Sequence, residues 1–245
     1  MTRRRWIADE HSADRAALVG AHAAHLARVL RARVGQEFDI ATDGVVRLGR
    51  ITSIADDRVE FALGCKVESA AQRAVTMVLA IFKFDRFEWA IEKCTELGVA
   101  TIIPAIARRT DAHLAQAAAK RAERWRRIAL EAAQQSRRVS PPAIADPVRL
   151  KAAITGEEFA AGKRIVLAET ENMVMLSHLL AQEKNEREAN ASSLVLAAGP
   201  EGGWAEDELK MFTDAGWTSA SLGPTILRAE TAAVAALAIA QSMLE

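Results

Sequence analysis

The sequence has few of the residues that form disulfides or bind metal ions. It has no tyrosine, and its two cysteines, Cys65 and Cys94, each stand alone in an apolar setting. Isolated cysteines favour reduced thiols in a cytosolic protein over a disulfide. The five histidines have no Cys, Asp or Glu partner at ligand spacing, so we expect no metal site.

Long hydrophobic runs and an excess of charge of either sign are also missing. The apolar segment 232–240 is about half the length of a membrane span. The basic start, MTRRRWIADEH, has no apolar segment behind it and is not a secretory signal. We therefore expect a cytoplasmic protein with no membrane association. The 32 basic and 32 acidic residues cancel, so the field of the whole protein gives no argument for a nucleic-acid partner.

Local clusters of basic residues are present despite the zero net charge. They comprise Arg3 to Arg5, then Arg28, Arg31 and Arg33, and the segment 120–138, which has few acids. Binding to RNA requires a local patch of positive charge and does not require a positive total. The distribution of charge is therefore compatible with an RNA partner.

The first 70 residues have the pattern of a small β-rich unit. Turn residues Asp43-Gly44 and Asp56-Asp57 separate apolar runs typical of a β-meander or barrel. The predicted elements are strands at 3–8, 38–41, 45–54 and 58–63 and a helix at 16–30. At 245 residues the chain is long enough for one or two domains.

From about residue 72 the pattern changes to alternating strands and helices. The predicted strands are 75–82, 100–107 and 165–168, and the predicted helices are 87–97 and 115–135. This alternation predicts an α/β domain with a mostly parallel sheet covered by helices on both faces.

Two glycine turns, each at the end of an apolar run, organise the C-terminal part of the chain. The strand-like run 192–198 stops at the turn 199–203, GPEGG, and an acidic helix follows to about residue 215. A second strand-like run, 217–222, stops at Gly223-Pro224, and an apolar helix is predicted at 227–244. Ligands of open α/β sheets bind outside the C-terminal ends of strands, so these turns are candidates for a ligand site. The alternative for GPEGG, which its local sequence alone favours, is a tight turn that joins strand to helix, with Glu201 helping to cap the helix.

The chemistry of the two turns excludes a phosphate cradle. Neither G-x-x-x-x-G-K-[ST] nor G-x-G-x-x-G is present. The turns offer bare backbone N–H and C=O groups beside Leu222, Ile226 and Leu227, which suit a flat heterocycle. Arg228 and Glu230 are the only charges in this otherwise apolar segment.

The motifs GPEGG and LGPTILRAETA together resemble those of the RsmE family of ribosomal RNA uridine-N3 methyltransferases, in the knotted SPOUT superfamily. Further matches lie upstream, in HLARVLR at 25–31 and EKCTELGV at 92–99, so the resemblance covers nearly the whole chain. The resemblance implies a PUA-like RNA-binding β-barrel domain at 1–71 and a methyltransferase domain with a deep trefoil knot at 72–245. It also implies a homodimer that methylates N3 of a uridine near the 3′ end of 16S ribosomal RNA in the small subunit.

The resemblance further implies roles for individual residues. Our own hypothesis for the catalytic residues is that Arg228 holds the target base or a phosphate and stabilises the uracil anion, while Glu230 orients the base. The other roles follow from the resemblance. S-adenosylmethionine would bind at Ala168, Gly199, Glu201, Gly202, Leu222, Gly223, Ile226 and Leu227. RNA would be contacted by Arg3, Arg5, His25, Arg28, Arg31, Lys83, Arg86 and Lys93.

Several alternatives stay open at the level of sequence. Arg228 and Glu230 could form a buried ion pair at the start of the last helix, and the basic stripe at 25–31 could be a solvated helix face. Thr225 stands where the family commonly has arginine, Phe84 stands where it has glycine, and Arg108 to Asp111 replace a typical Glu-Arg-Ser run. The chain could also be a SPOUT enzyme for another RNA, or a non-catalytic RNA-binding protein of ribosome assembly.

Overall fold

The structure is a computed structural model that describes residues 4–55, 57–67, 74–156, 162–186 and 193–244. The chain divides into two compact units. The first comprises Met1–Ala71 with Ala133–Pro141, and the second comprises Gln72–Ala132 with Pro142–Glu245. The domain boundary expected between residues 71 and 72 lies outside the described residues and stays a prediction.

The first unit is built on a six-stranded sheet of β1 Arg5–Ile7, β2 Glu10–His11, β3 Arg15–Val19, β4 Glu37–Thr42, β5 Val45–Ile54 and β6 Arg58–Lys66. Their order in the sheet is β1-β4-β5-β6-β3-β2. Strand β1 pairs in parallel with β4. All other neighbouring strands of this sheet pair antiparallel. The strands predicted near residues 38, 45 and 58 are confirmed, and part of the predicted first strand is present.

The helix predicted at 16–30 is wrong over its first four residues, which belong to strand β3. This strand pairs antiparallel with β6, and its buried Leu18 packs in the core of the unit. Tertiary pairing here overrides the helical pattern of the local sequence. The helical part begins at Gly20, whose positive φ of 56° breaks the strand. It consists of the short helix α1, Gly20–Ala24, and a π-helical turn, His25–Val29.

The second unit is a parallel sheet with helices between its strands, as predicted. The strands are β7 Val75–Ala80, β8 Thr101–Ile106, β9 Ala143–Ile144, β10 Val148–Arg149, β11 Lys163–Leu167, β12 Leu194–Ala198 and β13 Thr218–Ala220. The main order is β10-β8-β7-β12-β11-β13, with β9 paired to β8. The helices are α2 Phe84–Glu96, α3 Ala112–Gln135, α4 Leu150–Ile154, α5 Leu176–Glu186, α6 Glu206–Asp214 and α7 Ala229–Leu244.

Alternation along the strands divides the core of this unit between the two faces of the sheet. Met77 and Leu79 of β7 belong to one buried cluster, which includes residues of α2, α3, α5 and α7. Val78 and Ala80 of the same strand belong to the other, which includes residues of α4 and α6. The expectation of helices on both faces is therefore confirmed.

The order of the strands brings three loops together at one edge of the sheet. Strand β11 lies between β12 and β13 and is parallel to both, so the C-terminal ends of all three point the same way. The segment after β11 is joined to the end of β13, because Ser221 N–H donates to the Val174 carbonyl at 2.8 Å. The Ser221 carbonyl in turn accepts from Leu176 N–H at 3.0 Å. This edge carries the glycine turns singled out in the sequence.

Within the described residues, no helix combines the length and apolar character needed to cross a bilayer.

Candidate functional site

A cavity of about 320 Å³ opens where the loops after β11, β12 and β13 meet. Most of its lining residues are glycine, proline or apolar, and four are charged, Arg109, Glu169, Glu201 and Glu206. The remaining lining residues are Leu167, Ala168, Thr170, Asn172, Gly199, Pro200, Gly203, Trp204, Leu209, Ala220, Ser221, Leu222, Gly223, Pro224, Thr225, Ile226, Leu227, Ala229 and Ala232.

The loop after β12 is fixed by the indole ring of Trp204. Its Nε1–H donates to the Leu167 carbonyl at 2.9 Å, so it joins the ends of β12 and β11 beneath the cavity. The ring lies against Gly199, where an added Cβ atom would stand 3.2 Å from two ring atoms. A side chain at Gly199 would therefore push the indole away from the Leu167 carbonyl. Packing against Trp204 thus explains why this position is a glycine.

A buried carboxylate ties the start of α6 to the segment after β8. Glu208 accepts the Ala205 N–H at 2.9 Å with one oxygen and the Arg108 N–H at 2.7 Å with the other. The next residue, Arg109, donates to the Gly202 carbonyl and lines the cavity. This arrangement brings a segment distant in sequence to the GPEGG turn.

The loop after β13 exposes backbone to the cavity. Ser221 Oγ accepts the Gly223 N–H at 3.2 Å and holds the turn closed. Gly223 has a φ of +131°, which favours glycine, and an added Cβ atom would meet open space. The following residues 224–226 are exposed, and Ile226 has 81% of its surface accessible.

Seven of the eight residues expected to bind the cofactor line this cavity. They are Ala168, Gly199, Glu201, Leu222, Gly223, Ile226 and Leu227. The eighth, Gly202, is outside the lining, and its carbonyl accepts from Arg109. Sequence reasoning missed Arg109 and Glu169. Glu169 directly follows Ala168, which was expected to bind the cofactor, so its place in the cavity could have been predicted from the sequence. Arg109 is distant in sequence, and only the fold brings it to the cavity.

Arg228 and Glu230 do not form the ion pair that the sequence left open. Glu230 is 8% exposed at the start of α7, and its Oε1 lies 3.8 Å from Nε of Arg86. Its Oε2 is buried without a hydrogen-bond partner among the described residues. Arg228 is exposed and has no ion pair within the described part of the chain. The nearest cation to Glu230 therefore comes from α2.

The basic residues expected to bind RNA on α2 differ in how far their charge is compensated. Arg86 pairs with Glu201 at 3.0 Å as well as with Glu230, so it joins α2 to the GPEGG turn and to the start of α7. Lys93 lies 2.8 Å from both Glu92 and Glu96, and these hydrogen bonds raise the pKa of the lysine. Lys83 is exposed just before the helix.

The expected RNA-binding residues of the first unit also fall into two groups. His25, Arg28 and Arg31 are exposed on and after the π-helical turn, and Arg31 has a positive φ of 50°. Arg5 is half-buried, and its guanidinium donates to the Arg137 carbonyl at 2.7 Å. Arg3 lies outside the described residues. Among the described residues, no group of His, Cys, Asp and Glu could hold a metal ion.

These features define a class of protein, an α/β fold with a cavity at its strand ends, in a chain that also contains a β unit. Models of two protein families match the chain. One, described as RNA methyltransferase domain, matches residues 69–241, and the other, described as RNA methyltransferase PUA domain, matches residues 20–63. The chain therefore belongs to the RNA methyltransferase family.

Individual relatives agree with this membership. The chain is 35% identical over 221 residues to the ribosomal RNA small subunit methyltransferase E of Mycobacterium tuberculosis, covering 87% of this chain and 80% of the relative. It is 32% identical over 225 residues to the same-named protein of Synechocystis, covering 90% of this chain and 71% of the relative. The PUA-like and SPOUT α/β fold class is confirmed, and the family implies the trefoil knot.

A solved structure extends the similarity to three dimensions. The crystal structure of ribosomal RNA small subunit methyltransferase E from Neisseria gonorrhoeae, bound to S-adenosyl methionine, superposes with a TM-score of 0.82. The two chains are 26% identical, and the match covers 98% of this chain and 97% of the other.

Proposed function

We propose that the cavity binds S-adenosylmethionine and that the chain methylates RNA with it. The cavity of about 320 Å³ is at the lower end of the range of small-molecule sites. Within the described lining, Arg109 is the only basic residue, so a polyphosphate would find little compensation there. Backbone groups of the loop after β13 suit an adenine ring, and Arg109 suits the carboxylate of a methionine. The Neisseria relative, bound to S-adenosyl methionine, supports the same ligand.

The substrate that we propose is a uridine near the 3′ end of 16S ribosomal RNA, methylated at N3. The support is the family membership and the relatives named for the small subunit ribosomal RNA. His25, Arg28, Arg31 and Lys83 are exposed basic groups that we propose as RNA contacts. Each phosphate contact predicts a contribution of about −0.7 to the slope of log affinity against log salt for single strands. An affinity that hardly changes with salt would remove these contacts from the proposal.

The reaction needs a reactive methyl group, an aligned base and stabilisation of the uracil anion. S-adenosylmethionine supplies a methyl group activated by its sulfonium. As the N3–methyl bond forms, the sulfur–methyl bond breaks, S-adenosylhomocysteine leaves, and the N3 proton of the uracil passes to water. The protein's contribution is then alignment, which is worth up to roughly 7–11 kcal/mol in well-oriented reactions. We assign the stabilisation of the anion to Arg228, whose exposed guanidinium is a planar donor of hydrogen bonds. Glu230 has a buried Oε2 free to accept a hydrogen bond, so we assign it the orientation of the base.

The assignment of Arg228 has a direct test. Arg228→Ala should lower the turnover number strongly and leave the affinity for S-adenosylmethionine close to that of the unchanged protein. The matched control is Arg228→Lys, which keeps the charge and loses the planar donor, and should retain part of the turnover. Turnover of Arg228→Ala near the unchanged value, with cofactor and RNA affinity intact, would contradict the role.

A homodimer is also part of the proposal. Helix α7 carries Val234, Ala235, Ala238 and Ile239 on a half-exposed apolar face, which suits a two-fold interface with a second copy. We further propose that the substrate is the small ribosomal subunit of the cytoplasm. Light scattering at micromolar concentration is expected to give the mass of a dimer, and a monomer would contradict the oligomeric proposal.

The decisive experiment is mass spectrometry of nucleosides after unmodified small subunits are incubated with the protein and labelled S-adenosylmethionine. Label in 3-methyluridine is the expected outcome. Label in another nucleoside would keep the enzyme class and change the substrate to another RNA. Binding of the cofactor without any label in small-subunit, large-subunit or transfer RNA would favour a non-catalytic RNA-binding role.

A further inference from the structure

Glu169 is an acidic residue of the cavity whose carboxylate has no partner among the described residues. It is exposed directly after β11 and forms no hydrogen bond or ion pair with any described residue. The neighbouring carboxylates differ in this respect. Glu201 pairs with Arg86 at 3.0 Å, and Glu171 accepts the N–H groups of Met173 and Val174 at 2.8 and 3.0 Å. The acceptors of Glu169 are therefore available to a ligand.

The surroundings of Glu169 hold its carboxylate in a defined place. An added Cβ atom at Gly203 would stand 3.3 Å from Oε1 of Glu169, so the carboxylate packs against the backbone of the GPEGG turn. Gly203 has a φ of +68°, which favours glycine and so keeps this space open. On the other side, the two hydrogen bonds accepted by Glu171 close the turn that follows Glu169. The acidic group is therefore placed by backbone on both sides.

The chemistry of the ligand decides what this acceptor would bind. An ionised carboxylate only accepts hydrogen bonds, and a vicinal diol offers it two adjacent donors. The proposed site assigns the heterocycle to the backbone of the loop after β13 and the methionine carboxylate to Arg109. The α-ammonium of the methionine part is on the same carbon as the carboxylate assigned to Arg109. The ribose joins the heterocycle to the methionine part, so its hydroxyls are the donors that we assign to Glu169. Acidic residues bind ribose hydroxyls in the same way at the strand ends of other nucleotide sites.

We propose that Glu169 accepts the 2′- and 3′-hydroxyls of the cofactor ribose and so determines the selectivity of the cavity for ribonucleosides. This inference rests on the proposed cofactor. Because a charge-assisted hydrogen bond is worth about 1.5–3 kcal/mol, loss of the carboxylate should weaken binding about 10- to 100-fold. The loss should be specific to ligands that carry the hydroxyls.

The test is isothermal titration calorimetry with S-adenosylhomocysteine and with its 2′-deoxy and 3′-deoxy analogues. The unchanged protein should bind each deoxy analogue about 10-fold more weakly than the parent ligand. In Glu169→Ala the parent ligand should weaken, and the ratio between parent and analogues should approach one. The matched control is Glu206→Gln, which removes the same charge from another part of the lining and should keep the ratio of the unchanged protein.

The outcomes separate the inference from the function on which it rests. A ratio between parent and analogues that is equal in Glu169→Ala and in the unchanged protein would overturn the role of Glu169 and leave the cofactor site standing. An equal loss of all ligands in both Glu169→Ala and Glu206→Gln would assign the effect to general electrostatics and also overturn it. Absence of any binding of S-adenosylhomocysteine to the unchanged protein would instead overturn the proposed cofactor.

Discussion

Removal of the Glu208 carboxylate should destabilise the second unit by an amount that follows from its two hydrogen bonds. The residue is 4% exposed, and its oxygens accept the buried Ala205 N–H and the half-buried Arg108 N–H. A buried N–H left without an acceptor costs about 2–3 kcal/mol, and a half-buried one costs about 1 kcal/mol because water replaces part of the bond. Glu208→Ala should therefore cost about 3–4 kcal/mol, and Glu208→Gln, which retains one acceptor oxygen, about half of that.

Thermal unfolding followed by circular dichroism measures this change. A unit of this size loses about 2–4 °C of melting temperature for each kcal/mol, so Glu208→Ala should melt about 6–16 °C lower. The matched control is Glu206→Gln on the same helical turn, where the side chain is exposed and the change should stay within about 0.5 kcal/mol. Equal melting temperatures for Glu208→Ala and Glu206→Gln would refute the reasoning.

Three further predictions concern thiol reactivity, pH and the contacts of α2. Burial raises the pKa of Cys94 to about 12, whereas Cys65 is exposed. A thiol reagent at pH 8 should therefore modify Cys65 alone in the folded protein and both cysteines after denaturation. Rapid reaction of two equivalents of reagent with the folded protein would contradict this. Hydrogen bonds from the Met173 and Val174 amides lower the pKa of Glu171 from 4.5, so this stabilisation is present above that value and is lost as pH falls through the lowered pKa. Hydrogen exchange of this loop, corrected for intrinsic rates, should accelerate in that acidic window, and a pH-independent rate, equal to that of Glu171→Gln, would refute it. Arg86→Ala should lower the free energy of unfolding by about 1–3 kcal/mol because it leaves buried Glu230 without its nearest cation. Arg86→Lys keeps the positive charge and should retain part of this stability. Equal melting curves for the two variants would contradict the role of charge.

The accuracy of the sequence predictions followed how local their causes were. Strands β4, β5 and β6 were predicted because turn residues such as Asp43-Gly44 and alternating apolar residues set them locally. The strand β3 was assigned to a helix because its Ala-Ala-Leu-Val pattern fits either state, and only pairing with β6 selects the strand. Arg86 is a second case in which tertiary structure decided the outcome. The sequence predicted that it contacts RNA, and only the fold shows that it pairs with Glu201 and Glu230.

Local sequence patterns were enough to recognise the family, the two glycine turns and seven of the residues that line the cavity. These features depend on glycine, proline and apolar runs, whose conformational preferences act over a few residues and can be seen in the sequence. The tertiary structure alone decided which charges meet. The sheet order β8-β7-β12-β11-β13 brings Arg109 to the carbonyl of Gly202, leaves Glu169 without a partner among the described residues, and gives Glu230 a cation from α2 in place of Arg228. Pairing across about 90 to 140 residues of chain depends on the closure of the whole sheet, and no local pattern encodes it.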